Sequence, residues 1–563
     1  MIRDRLRRLY GDDLGSRTAV RLERHLEAWR ARLPSRPPRL FDERDVLLIT
    51  YADTFTTPGE TPLRTLHSFA ARHLRPLISG LHMLPFFPWS SDYGFSIIDY
   101  LAVDPRLGSW PDVTALGRDF DLMVDFVCNH LSAESEWFAR FKAGLEPERR
   151  FFRTAAPDAD LAAVTRPRTT PLLTPVDTAE GRRWVWTTFS ADQVDLDYRE
   201  PDLLLRMVDV LLTYVERGAS VLRLDAVGYL WKEVGTSSIH LPQTHELVKL
   251  FREVLDETAP GVALVTETNV PHADNVRYFG DGHDEAQMVY QFPLAPLVLD
   301  AFRRGDASRL REWAAGLRTP SPSTTFFNFL ASHDGIGVVP ARGLLPAADV
   351  AALAEQVRRH GGEVSAKADA DGSESPYELN TTFFDALSDP RDTAEAWPRK
   401  RDRFLCAQAI MLALAGVPGI YVHSLFGSHN DIETYRRTGW KRDLNHGHLP
   451  VAELEARLAE PASAPAQILA GLERLLRARR GHPAFHPGAP QALPAAPPGV
   501  LAILRGPVAG RGVLALHNLT TQARTIPLTT LAPRARAGRA LLGGTPDLPL
   551  APLAVNWIEL DWT

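Results

Sequence analysis

Short apolar runs of strand length alternate along this chain with longer stretches of helical spacing. Val46 to Tyr51 reads as a strand, Pro62 to Leu77 as a helix, Gly80 to Pro85 as a strand, Val113 to Phe120 as a helix and Leu122 to His130 as a strand. Between His130 and Asp197 the alternation fails, and Pro, Thr, Arg and Trp accumulate. It resumes with a helix from Leu203 to Arg217, a strand ending at Asp225, a helix from Thr244 to Thr258, and strands at Val262 to Glu267, Ala286 to Tyr290, Thr325 to Ser332 and Val417 to Tyr421. Strands joined through helices lie parallel, and eight such units close on themselves. The expected fold is α/β: a (β/α)8 TIM barrel with an inserted subdomain after strand 3 and a C-terminal all-β domain.

The expected boundaries follow. Residues 1–44 form a helical N-terminal extension, with Leu6, Leu9, Leu14, Val20, Leu22, Leu26, Trp29 and Leu33 at helical spacing before Pro34, Pro37 and Pro38. The barrel takes 45–130 and 198–481, the inserted subdomain 131–197, and the C-terminal domain 482–563. In the last of these, Leu501 to Leu504, Gly512 to Asn518, Ala523 to Leu528 and Ala554 to Leu560 read as strands between Pro/Gly turns. Glu363 to Tyr377 is polar and rich in Gly, Ser and Asp, which predicts a mobile loop.

Charge and cysteine content exclude several classes of function. A net charge of -6 supplies no basic field for nucleic acid and no polybasic membrane patch. No apolar run approaches the roughly 20 residues that span a bilayer, and the N-terminus lacks a signal-peptide core. Cys128 and Cys406 sit in apolar segments and form neither a disulfide framework nor a metal cluster. A cytoplasmic enzyme without metal or cofactor is the expectation.

Chemistry-bearing residues collect where the proposed strands end: Asp92, His130, Arg223 with Asp225, Glu267, and His333 with Asp334. Each alone has an ordinary structural account, as a helix cap, a satisfied core imidazole or an internal ion pair. On the stretch Ser220 to Gly228 by itself, an internal Arg–Asp pair and a catalytic mouth are equally good readings. A parallel barrel, however, brings the C-terminal ends of all its strands to one face, where active sites are built. Three carboxylates without His/Cys metal spacing point to glycosyl transfer rather than to metal hydrolysis.

Four short motifs carry a resemblance. Val127-Cys-Asn-His130, Leu222-Arg-Leu-Asp-Ala-Val227, Val265-Thr-Glu267 and Ala331-Ser-His-Asp334 resemble those of glycoside hydrolase family 13, the α-amylase superfamily, in its order and spacing. Leu48-Ile-Thr-Tyr-Ala-Asp53, His82-Met-Leu-Pro-Phe-Phe87, Asp104-Pro-Arg-Leu-Gly-Ser-Trp110, Gln193-Val-Asp-Leu-Asp197, Lys232-Glu-Val-Gly-Thr-Ser237 and His333-Asp-Gly-Ile-Gly337 narrow it to the sucrose phosphorylase-like subfamily. The resemblance implies a retaining phosphorylase that transfers a glucosyl unit to orthophosphate, giving α-glucose 1-phosphate. It implies Asp225 as nucleophile, Glu267 as acid/base and Asp334 as transition-state stabiliser. Asp92, His130, Arg223, His333, Arg442 and Gln193 are implied as glucosyl-binding, and Arg168 and Tyr377 as phosphate-side residues. Arg223 would keep Asp225 ionised, and His130 and His333 would be neutral hydroxyl partners. Asn129 matches a residue that helps hold calcium in the superfamily, but no carboxylate cluster completes that set, so no metal is expected.

Departures from sucrose phosphorylase lie around the acceptor. Ser375 and Glu378 stand where the sucrose enzyme carries Asp and Gln to bind fructose, which makes Glu378 an acceptor-side candidate, and Glu267-Thr-Asn-Val-Pro-His272 resembles the subgroup typified by glucosylglycerate phosphorylase. The implied substrate is 2-O-α-glucosylglycerate, with sucrose or sucrose 6-phosphate phosphorolysis, or hydrolysis and transglucosylation of small α-glucosides, as alternatives. An acceptor carboxylate would need a cation; Lys232, Arg342 and Arg168 are candidates, and a surface position is an equally open reading of each. The expected partners are a small α-glucoside and phosphate, with no nucleic acid and no membrane. A homodimer is left open beside a monomer.

Overall fold

The computed structural model describes residues 1–33, 37, 41–368, 373–526, 528–543 and 549–562. Eight parallel strands close into a barrel: β1 (Leu47–Thr50), β2 (Gly80–Met83), β3 (Asp121–Val127), β4 (Ala219–Asp225), β5 (Ala263–Thr266), β6 (Met288–Tyr290), β7 (Thr325–Asn328) and β8 (Val417–Tyr421). Each pairs with its neighbour in chain order and β8 closes on β1, as the strand–helix alternation requires. Every residue of β4 is buried, because helices cover its outer face and lumen side chains its inner one. Gly419 in β8 is needed for that packing: a Cβ there would lie 2.4 Å from Cζ of Phe327, whose ring fills the lumen.

Register places the chemistry. Asp125 on β3 pairs with Arg223 on β4, and Val127 with Asp225. Two residues on, each strand returns to the same face, so Arg223 and Asp225 both look into the barrel.

The segment between β3 and β4 is zipped at its two ends. His130–Ser132 pairs antiparallel with Gln193–Asp195, and a hairpin of Leu173–Thr178 with Gly181–Trp186 stands beyond it. The register sets Gln193 opposite Ser132, from where its Nε2 comes within 3.2 Å of His130 Nε2.

The polar stretch from Glu363 is not a loop. Glu363–Ala368 and Glu374–Asn380 form an antiparallel hairpin, and Ile336–Gly337 adds a third strand. Buried Val364 and Leu379 lie opposite each other and anchor it. Of the Gly/Ser/Asp residues that suggested mobility, those in 369–372 lie outside the described residues.

The N-terminal helices α1 (Ile2–Tyr10) and α2 (Asp12–Arg30) pack on two barrel helices, α3 (Pro201–Glu216) and α4 (Pro242–Thr258). Leu6, Leu22 and Leu26 are fully buried there, Trp29 donates its indole N–H to Asp209 at 2.8 Å, and Arg5 bonds Glu253 at 2.6 Å. Leu14 and Val20, expected on the apolar face, are exposed instead, because the buried stripe runs through Gly15, Ala19 and Leu22. Of that extension's proline exit, Pro34 and Pro38 lie outside the described residues.

The C-terminal sheet is antiparallel, in the order Gln491–Ala492, Val500–Val508, Arg511–Asn518, Val555–Trp562 and Ala535–Ala540. Ala523 to Leu528, expected as a strand, is not one, because Ala535–Ala540 takes the sheet edge it would need. Two fully buried arginines seam this sheet to the barrel. Arg505 donates to the carbonyls of Ala413 at 3.0 Å and His486 at 2.8 Å, and Arg479 donates to that of Gly416 at 3.0 Å and to that of Glu43. Gln491 Oε1 accepts the Ala415 amide at 2.7 Å. Apart from the bond to His486, these meet the segment that feeds β8 or the approach to β1. Among the described residues no helix is long and apolar enough to cross a membrane.

Candidate active site

The C-terminal ends of the barrel strands open into one cavity whose walls include Asp92, His130, Gln193, Arg223, Asp225, Glu267, His333, Asp334 and Arg442. Arg168, Tyr377 and Glu378 line it as well. Twelve of the residues singled out from the sequence thus converge on a single site; the candidate cations Lys232 and Arg342 do not.

Arg223 is the hub. Its Nη1 lies 2.7 Å from Asp225 Oδ1 and also bonds Asp125, its Nε donates to Tyr290 Oη at 3.0 Å, and its Nη2 is 3.9 Å from Glu267 Oε2. Asp125 in turn bonds His82 Nε2 at 2.9 Å. Neither Asp125 nor His82 was singled out from the sequence. Both stand inside strands, not beyond them; the available signal was a charged residue at a lumen position of a run otherwise apolar.

Burial pushes both acidic partners of Arg223 in the cavity upward. Asp225 is raised by burial against the pull of Arg223 and His130. Glu267 is raised to about 8, because burial is only partly opposed by Arg223 and the charges of Asp225 and Asp334 add to it. The guanidinium touches Asp225 and only approaches Glu267, so the proton shared at neutral pH belongs on Glu267.

Asp334 is held oppositely. Burial works to raise it, but Arg442, with Nη2 at 2.7 Å, wins and, helped by His333, Arg223 and Arg168, holds it well below the ordinary carboxylate range. Arg442 also reaches Asp92 Oδ1 at 3.3 Å and Glu378 Oε1 at 3.5 Å. Asp92 and Tyr93 both have left-handed backbones, φ 54° and 52°, an uncommon conformation for residues with a Cβ. That turn aims Asp92 inward, where Gln193 Nε2 donates to its Oδ2 at 3.0 Å. Burial lowers His333 to about 3, so it is a neutral donor or acceptor at any working pH.

Over the mouth, the guanidinium carbon of Arg168 sits 5.4 Å from the centre of the Tyr377 ring. Arg168 comes from the inserted segment and Tyr377 from the hairpin, so two separate elements meet above Glu267. Arg342 is exposed, bonds Ser375 Oγ at 2.6 Å and lies outside the cavity wall.

Lys232 requires a correction. Its side chain turns back under the inserted segment, with Nζ 2.7 Å from Asn129 Oδ1, 3.2 Å from the Leu196 carbonyl and 3.2 Å from Asp195 Oδ2. Asp195 is fully buried and also accepts Thr188 Oγ1 at 2.5 Å. The oxygens around Asn129 are thus already engaged by an ammonium, and the set does not fit a calcium ion. Lys232→Met should leave Asp195 uncompensated and cost about 3–5 kcal/mol. The acceptor KM should be unchanged, and a denaturant midpoint beside reverse-reaction kinetics checks both.

The family description "Alpha amylase, catalytic domain" matches residues 77–335. A protein named glucosylglycerate phosphorylase from Allomeiothermus silvanus is 55% identical over 467 residues, 83% of each chain. One of the same name from Escherichia coli is 43% identical over 99% of each. The solved structure of sucrose 6F-phosphate phosphorylase from Thermoanaerobacter thermosaccharolyticum superposes with a TM-score of 0.72 at 25% identity, covering 85% of this chain and 94% of that one. The chain therefore belongs to the α-amylase family, in the branch that holds these phosphorylases.

Proposed function

We propose that the protein is a retaining phosphorylase that moves a glucosyl unit between 2-O-α-glucosylglycerate and orthophosphate. The observation that carries this reading is Arg168, a guanidinium with no hydrogen bond or ion pair among the described residues, stacked over Tyr377 at the mouth of a cavity whose floor is built from carboxylates. Arg442 is already committed to three acids. The relatives named glucosylglycerate phosphorylases support the choice of acceptor.

In the first step an Asp225 oxygen attacks the anomeric carbon. The bond to the glycerate oxygen breaks, and Glu267 gives that oxygen its proton. In the second step a phosphate oxygen attacks the same carbon, Glu267 takes the phosphate proton, and the ester to Asp225 breaks. Asp92, Asp334 and Arg442 clasp the sugar hydroxyls. Glycerate leaves before phosphate enters, so the two anions use Arg168 in turn.

Arg168→Ala tests the reading. Phosphorolysis should fall about 100-fold, the scale of a lost charge-assisted fork, while hydrolysis of an uncharged α-glucoside, which places no anion on Arg168, stays within about threefold. A parallel fall in both, or none in either, would sink it. The acid role of Glu267 sets a pH dependence. Since Glu267 must be protonated to release the glycerate and Asp225 ionised to attack, kcat/KM for the glucoside should fall about tenfold per unit above the Glu267 titration near pH 8 and decline again in acid as Asp225 takes up its proton. A pH–rate profile with saturating phosphate reads this directly.

A further inference from the structure

His240 lies in the loop after β4 and forms part of the cavity wall. Its backbone is left-handed, φ 55°, and its amide donates to the Gly228 carbonyl at 2.9 Å. Its ring rests on Gly228, where an added Cβ would lie 3.1 Å from the imidazole Cε1. Gly228 leads into Tyr229, whose phenol is within the field of Tyr377, Glu267 and Arg168. His240 therefore borders the half of the cavity beneath Arg168, away from the Arg442 cluster that faces the sugar.

The tautomer of His240 follows from its partner. Nδ1 lies 2.7 Å from the hydroxyl of Tyr278, a fully buried residue. That phenol has no other hydrogen-bond partner among the described residues, so its one proton goes to Nδ1. Burial lowers His240 to about 4, which keeps the ring neutral. The ring's remaining proton is then on Nε2, which has no protein partner among the described residues. Tyr278 is itself held by the stacked ring of His245, 4.7 Å between centres, and His245 bonds Glu285 at 2.9 Å. A left-handed, immobilised imidazole with a free N–H at the cavity wall is an arrangement that folding alone does not need.

We propose that His240 donates a hydrogen bond from Nε2 to the carboxylate of the acceptor, opposite Arg168, and so determines acceptor specificity, with Tyr278 as the positioning residue. The inference rests on the phosphorylase reading above.

The test is the reverse reaction, α-glucose 1-phosphate with D-glycerate, glycerol or fructose, read as phosphate release. His240→Gly and His240→Asn both tolerate a left-handed backbone, but only Asn keeps a donor. With the acceptor the wild type uses best, His240→Gly should raise its KM about tenfold, the scale of one lost hydrogen bond to a charged group, and leave the KM for α-glucose 1-phosphate within about twofold. His240→Asn should recover at least half of that loss on a logarithmic scale. Tyr278→Phe should raise the acceptor KM about threefold with kcat unmoved, because the donor persists in only part of the tautomer population. The inference is overturned if His240→Gly leaves the acceptor KM unchanged, or if Asn is no better than Gly. A wild type that prefers fructose to glycerate overturns the substrate reading instead; one that uses no acceptor overturns both.

Discussion

Asp225→Asn abolishes turnover: kcat should fall by about 10⁴-fold or more, the scale on which loss of a covalent nucleophile reads out. The amide cannot form the glucosyl ester, and its environment is built around a charge. Arg223 sits 2.7 Å from the Asp225 oxygen and keeps that contact while also bonding Asp125. Removing the negative charge also removes one of the influences that raise Glu267. A burst experiment separates the nucleophile role from a fold defect. The wild type should trap the glucosyl unit on the protein, visible as a mass increase after rapid quench, and the folded Asn variant should show none. An Asp225→Asn protein of full activity would remove the assignment.

The second large effect lies on a residue that never touches substrate. Asp125→Ala should destabilise the protein by about 3–5 kcal/mol, the cost of leaving a buried guanidinium without one of its carboxylates. Arg223 is 1% exposed and Asp125 fully buried, so water cannot replace the lost partner. The hydrogen bond to His82 goes with it, inside the same lumen. A guanidinium-chloride melt checks the stability and a kcat measurement the coupling, which should be downward, since Arg223 would be free to leave Asp225. An unchanged midpoint would mean the lumen network is dispensable. Asp125→Asn, which retains the shape and loses the charge, distinguishes electrostatics from a cavity.

How much of this was legible in the sequence varies with where each residue stands. Asp225, Glu267 and Asp334 lie just past strands with unambiguous apolar runs, so barrel closure by itself gathers them. Asp125 and His82 sit inside such runs, and only the register between β3 and β4 reveals that Asp125 faces Arg223. Lys232 was one of three cations that an acceptor carboxylate could have used. Its true partners, Asn129 and Asp195, belong to the two ends of the inserted segment, a pairing that no local pattern encodes. The hairpin at Glu363–Asn380 was hidden for a simpler reason. Gly, Ser, Asp and Glu dominate its composition, whereas Val364 and Leu379, which lie opposite each other in the sheet, are two apolar positions among many polar ones. His240 and Tyr278 were invisible as a pair, being 38 positions apart and joined by one hydrogen bond.

The seam of Arg479 and Arg505 has a consequence for anyone who would treat the barrel as a portable part. Arg505 from the sheet and Arg479 from the last barrel helix both donate to main-chain carbonyls at the segment into β8, and Arg479 also to the approach to β1, the two strands whose pairing shuts the cylinder. The C-terminal sheet is thus a buckle on the ring, and one of its pins. Exchanging catalytic modules between relatives by cutting after residue 480 would sever Arg505 from the ring it fastens; a transplant that keeps the ring must carry the buckle with it.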